Sequence, residues 1–397
     1  MLPYGKQFID DDDISAVTKA LKSDFLTTGP EIEKFEQELC AYTGAPFAVA
    51  SANGTTALHL ASVAIGLKPG DQVIVPTISF VATANAPRFC GAEIIFSDVD
   101  PETGLMTPDN LEEAVSRADS EKLKAVFVVH MGGHPANVAA IRQITERHNC
   151  ALVEDACHAL GTSYADPNGE WQSVGACRHS DFATLSFHPV KTITSGEGGV
   201  TFTANEEFAQ KMRLMRTHGL SRDPETWSNT ELAFDQGQDN PWYYEMQDIG
   251  FNYRLTDFQA ALGRSQLRKM PFFAEERRKL ARHYVDMASD RNQPFRFVGA
   301  PNAAHSVQHL MVCLIDFEAI GKTRRQVMAE LRDRGVGSQV HYIPIHRQPY
   351  YNNQLAQLDL PGADAYYARC LSLPLYPGMD LEDVEMVCDV LKDVIAR

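Results

Sequence analysis

Short apolar runs alternate with helical segments along the first two thirds of this 397-residue chain, and this alternation limits the possible folds more than any other feature. The apolar runs are QVIVPT, AEIIFSDVD, AVFVVH, ALVEDA and ATLSF. Runs of this kind are typical of strands buried on both faces, which occur in parallel sheets covered by helices. Residues Ile32, Phe35 and Leu39 recur at helical spacing, and TTALHLASVAIGL and NVAAIRQITERH also read as helices. The sequence therefore predicts an α/β fold with a large, mostly parallel sheet.

The pattern changes near residue 266. A long helical segment, LRKMPFFAEERRKLARHYVDMA, is followed by the predicted strand HLMVCLIDF and by the helices RRQVMAELRDRG and DLEDVEMVCDVLKDVIA. We predict a large domain over residues 12–265 and a smaller C-terminal α/β domain over residues 266–397. The polar segment 226–238 has no clear period and is predicted to be a mobile loop near the entrance of the pocket.

The charge balance excludes some classes of partner. The chain has 52 acidic and 36 basic residues and a net charge of −16, which argues against binding to nucleic acid or to an anionic membrane. The start, MLPYGKQFIDDDD, lacks the apolar core of a signal peptide, and no later run is long enough for a membrane helix. We expect a cytoplasmic protein that does not enter a membrane.

The cysteines give no sign of a metal site. All eight are scattered without a C-x-x-C pair, and the histidines do not cluster with them at ligand spacing. Reduced and mostly buried thiols are the expected state.

Lys191 lies in the segment SFHPVKTITSGEGGV, after a predicted strand and before a Gly-rich turn. An amine at such a position is held inside a cleft, where a lysine that forms a Schiff base would be placed. An ordinary lysine in a loop is the alternative, and this segment alone does not exclude it. Lys191 becomes a candidate catalytic residue only together with two further segments.

Asp155 ends the apolar run in VEDACHALGTSY. Open α/β sheets bind ligands at the carboxyl ends of their strands. A carboxylate at that place can pair with a protonated pyridine nitrogen, the interaction that makes pyridoxal phosphate an effective electron sink. The alternative is that Asp155 caps the following turn.

The third segment, SANGTTALHLA, places Gly54, Thr55 and Thr56 at the start of a predicted helix. Free backbone N–H groups, two hydroxyls and the positive end of the helix dipole form a natural phosphate site. The hydroxyl of Ser186 can complete such a site. Alone, the segment indicates no more than a helix cap.

In this order and spacing, the segments resemble the DegT/DnrJ/EryC1/StrS family of sugar aminotransferases. The matching features run through the whole chain and are PYGKQ, SDFLTTGP, ANGTTALHLA, EDACHALG, SFHPVKTITSGEGG, GFNYRLTDFQAALG, HYIPIHRQPYY and LSLPLYPG. The resemblance implies the fold-type I architecture of aspartate aminotransferase. It also implies pyridoxal phosphate, which alternates with pyridoxamine phosphate, as the cofactor.

The resemblance implies a role for each cofactor-binding residue. Lys191 holds the cofactor covalently and moves the proton, and Asp155 pairs with the pyridine nitrogen. The phosphate is bound by Ser186, Gly54 and Thr55.

Two further residues are implied to contact the cofactor within one subunit, and a third to reach a neighbouring subunit. Phe80 packs on the face of the cofactor, although a place in the core is the alternative, and His158 lies near the ring. Asn252, in GFNYR, contacts the cofactor phosphate of the neighbour, so the resemblance implies a homodimer with shared active sites. The alternative is that this segment only leads into a helix that begins at Thr256.

Residues in the family's substrate-binding segments are a further set of candidates. They include aromatic rings able to stack on uracil or sugar, cations able to bind a pyrophosphate, and histidines. The candidates are Tyr4, Lys6, Arg254, His341, Tyr342, His346 and Arg347. Tyr4 and Lys6 place the N-terminal segment 1–11 near the substrate. Each of these residues has a surface or structural role as its alternative.

Within the family, four segments are most similar to the members that act in pseudaminic acid biosynthesis. They are SDFLTTGP, SFHPVKTITSGEGG, PWYYEMQDIGFNYRLTDFQAALG and HYIPIHRQPYY. The similarity implies that L-glutamate donates an amino group to UDP-2-acetamido-2,6-dideoxy-β-L-arabino-hex-4-ulose. The product is UDP-4-amino-4,6-dideoxy-N-acetyl-β-L-altrosamine.

Three alternatives remain at this point. The substrate can be another UDP-, dTDP- or GDP-linked keto-sugar, because the cofactor-binding residues do not distinguish these. The sugar 3-dehydratases of the family have histidine in place of the lysine, so Lys191 argues against that reaction. A non-catalytic protein with the same fold is the third alternative, and the presence of both Lys191 and Asp155 argues against it.

Overall fold

The computed structural model describes residues 1–288, 293–299, 304–353 and 358–396. Its central sheet consists of β1 (Phe47–Ser51), β2 (Gln72–Pro76), β3 (Glu93–Ser97), β4 (Leu123–Val129), β5 (Ala151–Asp155), β6 (Phe182–Ser186) and β7 (Gly199–Thr203). The strand order is β1-β7-β6-β5-β4-β2-β3. Strand β7 runs antiparallel to both of its neighbours, and the other six strands are parallel to one another.

The central strands are buried on both faces, as the sequence predicts. All five residues of β7 and four of the five in β5 are buried. The predicted runs correspond to β2 through β6, whereas β1 and β7 were not predicted. The helices associated with this part of the chain are Asp11–Leu21, Pro30–Thr43, Gly54–Ile65, Ala82–Phe89, Pro108–Ser116, Val138–Arg147, Glu206–Arg216 and Asp257–Arg268. The α/β prediction is confirmed.

A second, smaller sheet lies in the C-terminal third. Its strands, Phe295–Phe297, Met311–Ile315 and Cys370–Leu373, pair antiparallel. The helices here are Met270–Met287, Arg324–Asp333, Pro349–Asn352, Pro361–Arg369 and Leu381–Ile395. A separate cluster of buried apolar side chains extends from Leu280 to Ile395. The long helix predicted here is interrupted at Lys269, and the domain boundary after residue 265, which falls inside the helix Asp257–Arg268, stays a prediction.

The N-terminal segment contacts the C-terminal third of the chain. Leu2 forms a parallel bridge with Val336, and the carbonyl of Tyr4 accepts from Leu375 N–H at 3.2 Å. The first helix packs against the helix Asp257–Arg268, and the ion pair between Asp13 and Lys269, at 2.8 Å, holds it at the end of that helix. Residues 1–4 therefore pack with the C-terminal lobe, and the helix that follows packs on the large domain.

The segment 226–238 contains local structure that was not predicted. Trp227 Nε1 donates to the carbonyl of Ser221 at 3.2 Å. The short elements in and around it are Leu220–Ser221, Pro224–Thr226, Thr230–Ala233, Phe234–Asp235, Gln238–Asp239 and Glu245–Met246. Elsewhere, short elements occur at Met131–Gly133, Ser163–Ala165, Trp171–Ser173, Ala304–His305 and Ile345–Arg347. The predicted mobility of 226–238 stays a prediction. None of the helices in the described ranges has the length and apolar character needed to cross a membrane.

Candidate active site

A cavity of about 640 Å³ opens at the carboxyl ends of β5 and β6. It brings together residues that are far apart in the sequence. The predicted site residues that line it are Tyr4, Gly54, Thr55, Phe80, Asp155, His158, Ser186, Lys191, His341 and Tyr342. Strands, a helix start and two segments of the C-terminal third all contribute to one site.

The side chain of Asp155 is fixed by its neighbours. Its Oδ2 accepts from the hydroxyl of Thr83 at 2.6 Å, and its Oδ1 accepts from Cys157 N–H at 3.2 Å. The second bond is the turn-capping interaction that the sequence offers as the alternative role of Asp155. Asp155 is 6% exposed and also lines the cavity, so the capping bond and a place in the site coexist.

The start of the helix Gly54–Ile65 forms one wall of the cavity. Asn53 caps this helix: its side chain accepts from Thr56 N–H at 2.9 Å, and its own N–H donates to Thr56 Oγ1 at 3.1 Å. The first two amides, at Gly54 and Thr55, have no carbonyl of their own helix to bond and remain available for an anion. The expected contribution of the Thr56 hydroxyl is wrong, because that hydroxyl belongs to the cap and does not line the cavity.

Two glycines allow the helix start to approach the sheet closely. A Cβ on Gly54 would lie 2.8 Å from Ser186 Cβ, and a Cβ on Gly199 would lie 2.3 Å from the carbonyl oxygen of Asn53. Both distances are too short for a side chain. Ser186 Oγ accepts weakly from His188 N–H at 3.4 Å, which leaves its own proton available for the cavity.

Lys191 is half-buried and lines the same cavity. Burial lowers the pKa of Lys191 below the ordinary value for lysine, and nearby Cys157 and Asp155 oppose this effect only in part. A lysine with a lowered pKa has more of its amine in the neutral, nucleophilic form near neutral pH. Of the lysines and arginines in the described chain, Lys191 alone lines the cavity.

A group of rings also lines the cavity. His158 Nε2 lies 3.1 Å from Tyr342 Oη, and the ring centroid of His158 lies 4.5 Å from that of His309. His341 Nδ1 lies 2.8 Å from Ser372 Oγ, and burial lowers the pKa of His341 to about 4. These buried imidazoles are therefore uncharged at neutral pH.

Phe80 lies at the mouth of the cavity. The residue is 57% exposed, and its ring centroid lies 6.2 Å from that of Tyr342. The alternative of a core residue is therefore wrong, and a ligand that entered the cavity could cover this ring.

Five predicted residues do not line the cavity. Lys6 and Asn252 are exposed and Arg254 is half-buried. His346 is buried with its Nδ1 2.7 Å from Thr77 Oγ1, and Arg347 forms an ion pair with Asp364. His346 thus connects the C-terminal segment to the end of β2, and the ligand contacts of all five residues stay predictions.

The cavity also contains residues that were not predicted. Cys157 and His309 line it, and Thr83, which does not line it, donates a hydrogen bond to Asp155. Cys157 lies two residues after Asp155, so proximity in the sequence is a signal for it. His309 carries no such local signal, because it enters the site from the C-terminal third. In the described ranges, no group of His, Cys, Asp and Glu side chains is arranged to hold a metal ion.

Comparison with known proteins identifies the family to which this chain is similar. The profile of the DegT/DnrJ/EryC1/StrS aminotransferase family matches residues 7–392. The chain is 35% identical over 400 residues to the spore coat polysaccharide biosynthesis protein SpsC of Bacillus subtilis, a match that covers 99% of this chain and 97% of that protein.

Solved structures show the same similarity. Helicobacter pylori PseC, an aminotransferase involved in the biosynthesis of pseudoaminic acid, is 27% identical with a TM-score of 0.87, over 100% of this chain and 99% of that one. Spr1654 of Streptococcus pneumoniae in its PMP form is 25% identical with a TM-score of 0.88, over 100% and 99% of the two chains.

Proposed function

Since the chain belongs to the DegT/DnrJ/EryC1/StrS aminotransferase family, we propose that it transfers an amino group from L-glutamate to a UDP-linked 4-keto-6-deoxy-N-acetylhexosamine. The chain is a pyridoxal-phosphate-dependent sugar aminotransferase. The observation that carries the proposal is the convergence of Lys191, Asp155 and the helix start at Gly54 on one cavity.

The residues present fit the cofactor. The helix start at Gly54 and the hydroxyl of Ser186 are close together, in a cradle that a Cβ at position 54 would fill. They offer a phosphate two free amides, a hydroxyl and the positive end of a helix dipole. Asp155 offers a carboxylate to a pyridinium nitrogen, and Lys191 offers an amine to an aldehyde.

The chemistry divides between the cofactor and the protein. Pyridoxal phosphate, when bound, supplies an electron sink for the carbon that loses its proton. Lys191 Nζ would hold the cofactor through its amine. The same amine would take the α-proton of the amino donor and deliver it within the same cavity, a role that the lowered pKa of Lys191 supports. One site serves the donor and the sugar in turn, so ping-pong kinetics is expected.

Asp155 and the phosphate site orient the cofactor. Hydrogen bonds from Thr83 and from the backbone at Cys157 hold the Asp155 carboxylate in one direction. Ser186, Gly54 and Thr55 bind the phosphate with neutral donors. Phe80 and His158, which line the same cavity, would limit the space available to the cofactor ring.

The charge of the cavity supports a site shared between two subunits. Only Lys191 lines the cavity as a cation in the described chain, yet a nucleotide sugar carries a diphosphate. A second copy would supply further donors, and the exposed Asn252 is the proposed donor to the partner's cofactor phosphate. The homodimer and the cytoplasmic location stay predictions.

The identity of the sugar rests on similarity to PseC and on the segments around His341 and Tyr342. The product would be UDP-4-amino-4,6-dideoxy-N-acetyl-β-L-altrosamine, as in pseudaminic acid biosynthesis. A second candidate is another nucleotide-linked keto-sugar that is used for a surface polysaccharide. The higher identity with SpsC, 35%, favours this candidate.

The proposal is tested by absorption spectroscopy of the protein reconstituted with pyridoxal phosphate. L-glutamate should bleach the visible band, and UDP-2-acetamido-2,6-dideoxy-β-L-arabino-hex-4-ulose should restore it. A panel of dTDP-, GDP- and other UDP-linked keto-sugars is the comparison set.

Each outcome separates one part of the proposal. If glutamate bleaches the band and only another sugar restores it, the second candidate is correct. If no band forms with the folded protein, or if Lys191→Ala leaves the band unchanged, the transaminase mechanism is wrong for this chain.

A further inference from the structure

Two hydrogen bonds fix the proton position on His158. Gly132 N–H donates to His158 Nδ1 at 3.3 Å, and His158 Nε2 lies 3.1 Å from Tyr342 Oη. A backbone N–H can only donate, so Nδ1 must present its lone pair. The single proton of the neutral imidazole is therefore on Nε2, and His158 donates to the oxygen of Tyr342.

The surroundings keep His158 neutral. Its side chain is buried and packs against His309, whose Nδ1 has no hydrogen-bond partner in the described part of the chain. Burial, with Lys191 and His341 nearby, lowers the pKa of His158 well below the ordinary value. A second proton on His158 would also place its Nδ1–H against the N–H of Gly132.

The bond from His158 leaves the proton of the Tyr342 hydroxyl for another acceptor. A phenol has one proton, and burial raises the pKa of Tyr342, so that the proton stays on the oxygen. Within the described ranges, His158 Nε2 is the protein group hydrogen-bonded to Tyr342 Oη, and it already donates. Tyr342 lines the cavity that contains Lys191 and Asp155, so the cavity is where an acceptor can lie.

We infer that Tyr342 donates a hydrogen bond to an oxygen of the molecule bound in the cavity, and that Gly132 sets this direction through His158. The inference rests on the proposed function, because it needs a ligand that carries such an oxygen. The acceptor is either the ring oxygen of the cofactor or a carbonyl or hydroxyl oxygen of the sugar. Tyr342 is thus a catalytic residue, and His158 is the positioning residue behind it.

The first experiment compares Tyr342→Phe with the unchanged protein, both loaded with pyridoxal phosphate. A hydrogen bond to an oxygen stabilises negative charge there, so its loss makes deprotonation harder. If the acceptor is the cofactor oxygen, the pH midpoint of the visible band should rise by about one unit or more without any sugar present. Tyr351→Phe, which removes a 3.0 Å hydrogen bond to Asn85 outside the cavity, is the matched control and should leave the midpoint unchanged.

The second measurement identifies a sugar acceptor. If Tyr342 donates to the sugar, the variant should keep the midpoint and bind the nucleotide sugar about tenfold more weakly or worse. If Tyr342→Phe changes neither the midpoint nor the sugar affinity, the inference is overturned. If the unchanged protein forms no visible band with pyridoxal phosphate, the proposed function is wrong. That result is distinct from a failure of the inference about Tyr342.

The role of His158 has its own readout. NMR of protein labelled with ¹⁵N-histidine, with His158→Gln used for assignment, reports which ring nitrogen carries the proton. We expect a neutral ring with the proton on Nε2. Protonation at Nδ1 would contradict the inference. His158→Gln should also preserve the pH midpoint or sugar affinity that Tyr342→Phe alters, since a glutamine amide can still donate to Tyr342, and His158→Ala should not.

Discussion

The hydroxyl of Thr83 donates to Asp155 Oδ2 at 2.6 Å and so fixes the carboxylate that faces the cavity. Ser79 Oγ lies 2.6 Å from Thr83 Oγ1. Because Thr83 has already given its one proton to Asp155, Ser79 is the donor in this second bond. The chain Ser79, Thr83 and Asp155 connects the segment after β2 to the end of β5.

Replacement of Thr83 by valine should weaken cofactor binding. The change keeps the shape of the side chain and removes a hydrogen bond to a carboxylate. A hydrogen bond to a charged group typically contributes about 1.5–3 kcal/mol of free energy. We expect the Kd for pyridoxal phosphate, measured by spectral titration, to rise by about tenfold or more. Thr83→Ser keeps the hydroxyl and should bind nearly as tightly as the unchanged protein. Equal affinities for the valine and serine variants would show that the bond has no role in binding.

Replacement of Lys191 by alanine should abolish the visible band and lower kcat by about a thousandfold or more, since both the covalent bond and the mobile proton depend on its amine. Lys211, whose Nζ lies 3.3 Å from the carbonyl of Ala64, lies outside the cavity, so Lys211→Ala should keep both band and activity. Substantial turnover by Lys191→Ala would contradict the assignment.

The reaction of Lys191 with the cofactor should depend on pH. Burial lowers the pKa of Lys191 from 10.5, and only the neutral amine attacks an aldehyde. The rate at which the apoprotein binds pyridoxal phosphate covalently should therefore rise with pH, with a midpoint below 10.5. Stopped-flow absorption at several pH values measures this rate. A midpoint at or above 10.5 would show that burial does not affect this amine.

Introduction of a methyl group at Gly54 should close the phosphate site. The new Cβ would lie 2.8 Å from Ser186 Cβ, so the helix start or the strand end must move. We expect Gly54→Ala to raise the Kd for pyridoxal phosphate by about tenfold or more, while the protein stays folded. Gly299→Ala, at a glycine with open space around its Cβ position, is the control. Unchanged affinity in Gly54→Ala would exclude this helix start as the phosphate site.

Buried histidines should make the protein less stable in mild acid. Burial lowers the pKa of His134 in the folded state to about 4, from 6.5, so the unfolded state binds more protons between these values. The free energy of unfolding should therefore rise with pH through this window. His134 alone should make it about 2 kcal/mol lower at pH 5 than at pH 7. The free energy of unfolding, from urea denaturation at both values, should differ less in His134→Gln than in the unchanged protein. The half-exposed His148 provides the control, and His148→Gln should keep the full difference. An equal difference in all three proteins would contradict the assignment to His134.

Local sequence patterns predicted those features that depend on residues close together in the chain. Asp155 ends a buried run, Thr256 begins the helix Asp257–Arg268 as predicted, and the helix start at Gly54 has its capping sequence beside it. Such features depend on neighbours within a few residues, so their pattern is written directly in the chain. The α/β class follows from the alternation of such features, and the cofactor class follows from the family resemblance that these segments carry together.

Contacts between distant segments were not predictable in the same way. Strands β1 and β7 lie at one end of the sheet and pair with each other across about 150 residues. Each has five residues, as do the predicted strands β2, β3, β5 and β6, so the length of the run does not set them apart. His309 reaches His158 from the C-terminal third, while His346 packs against Thr77 instead of lining the cavity.

The sequence by itself determined the alternation of strands and helices, the cofactor-binding segments and the family, because these depend on short-range periodicity and on residue types at fixed spacing. The tertiary structure decided which side chains share the cavity, which way His158 donates, and that His346 packs against Thr77 instead of lining the cavity. Those outcomes depend on how separate elements pack, and a difference of one helical turn or one rotamer moves a side chain into the site or out of it.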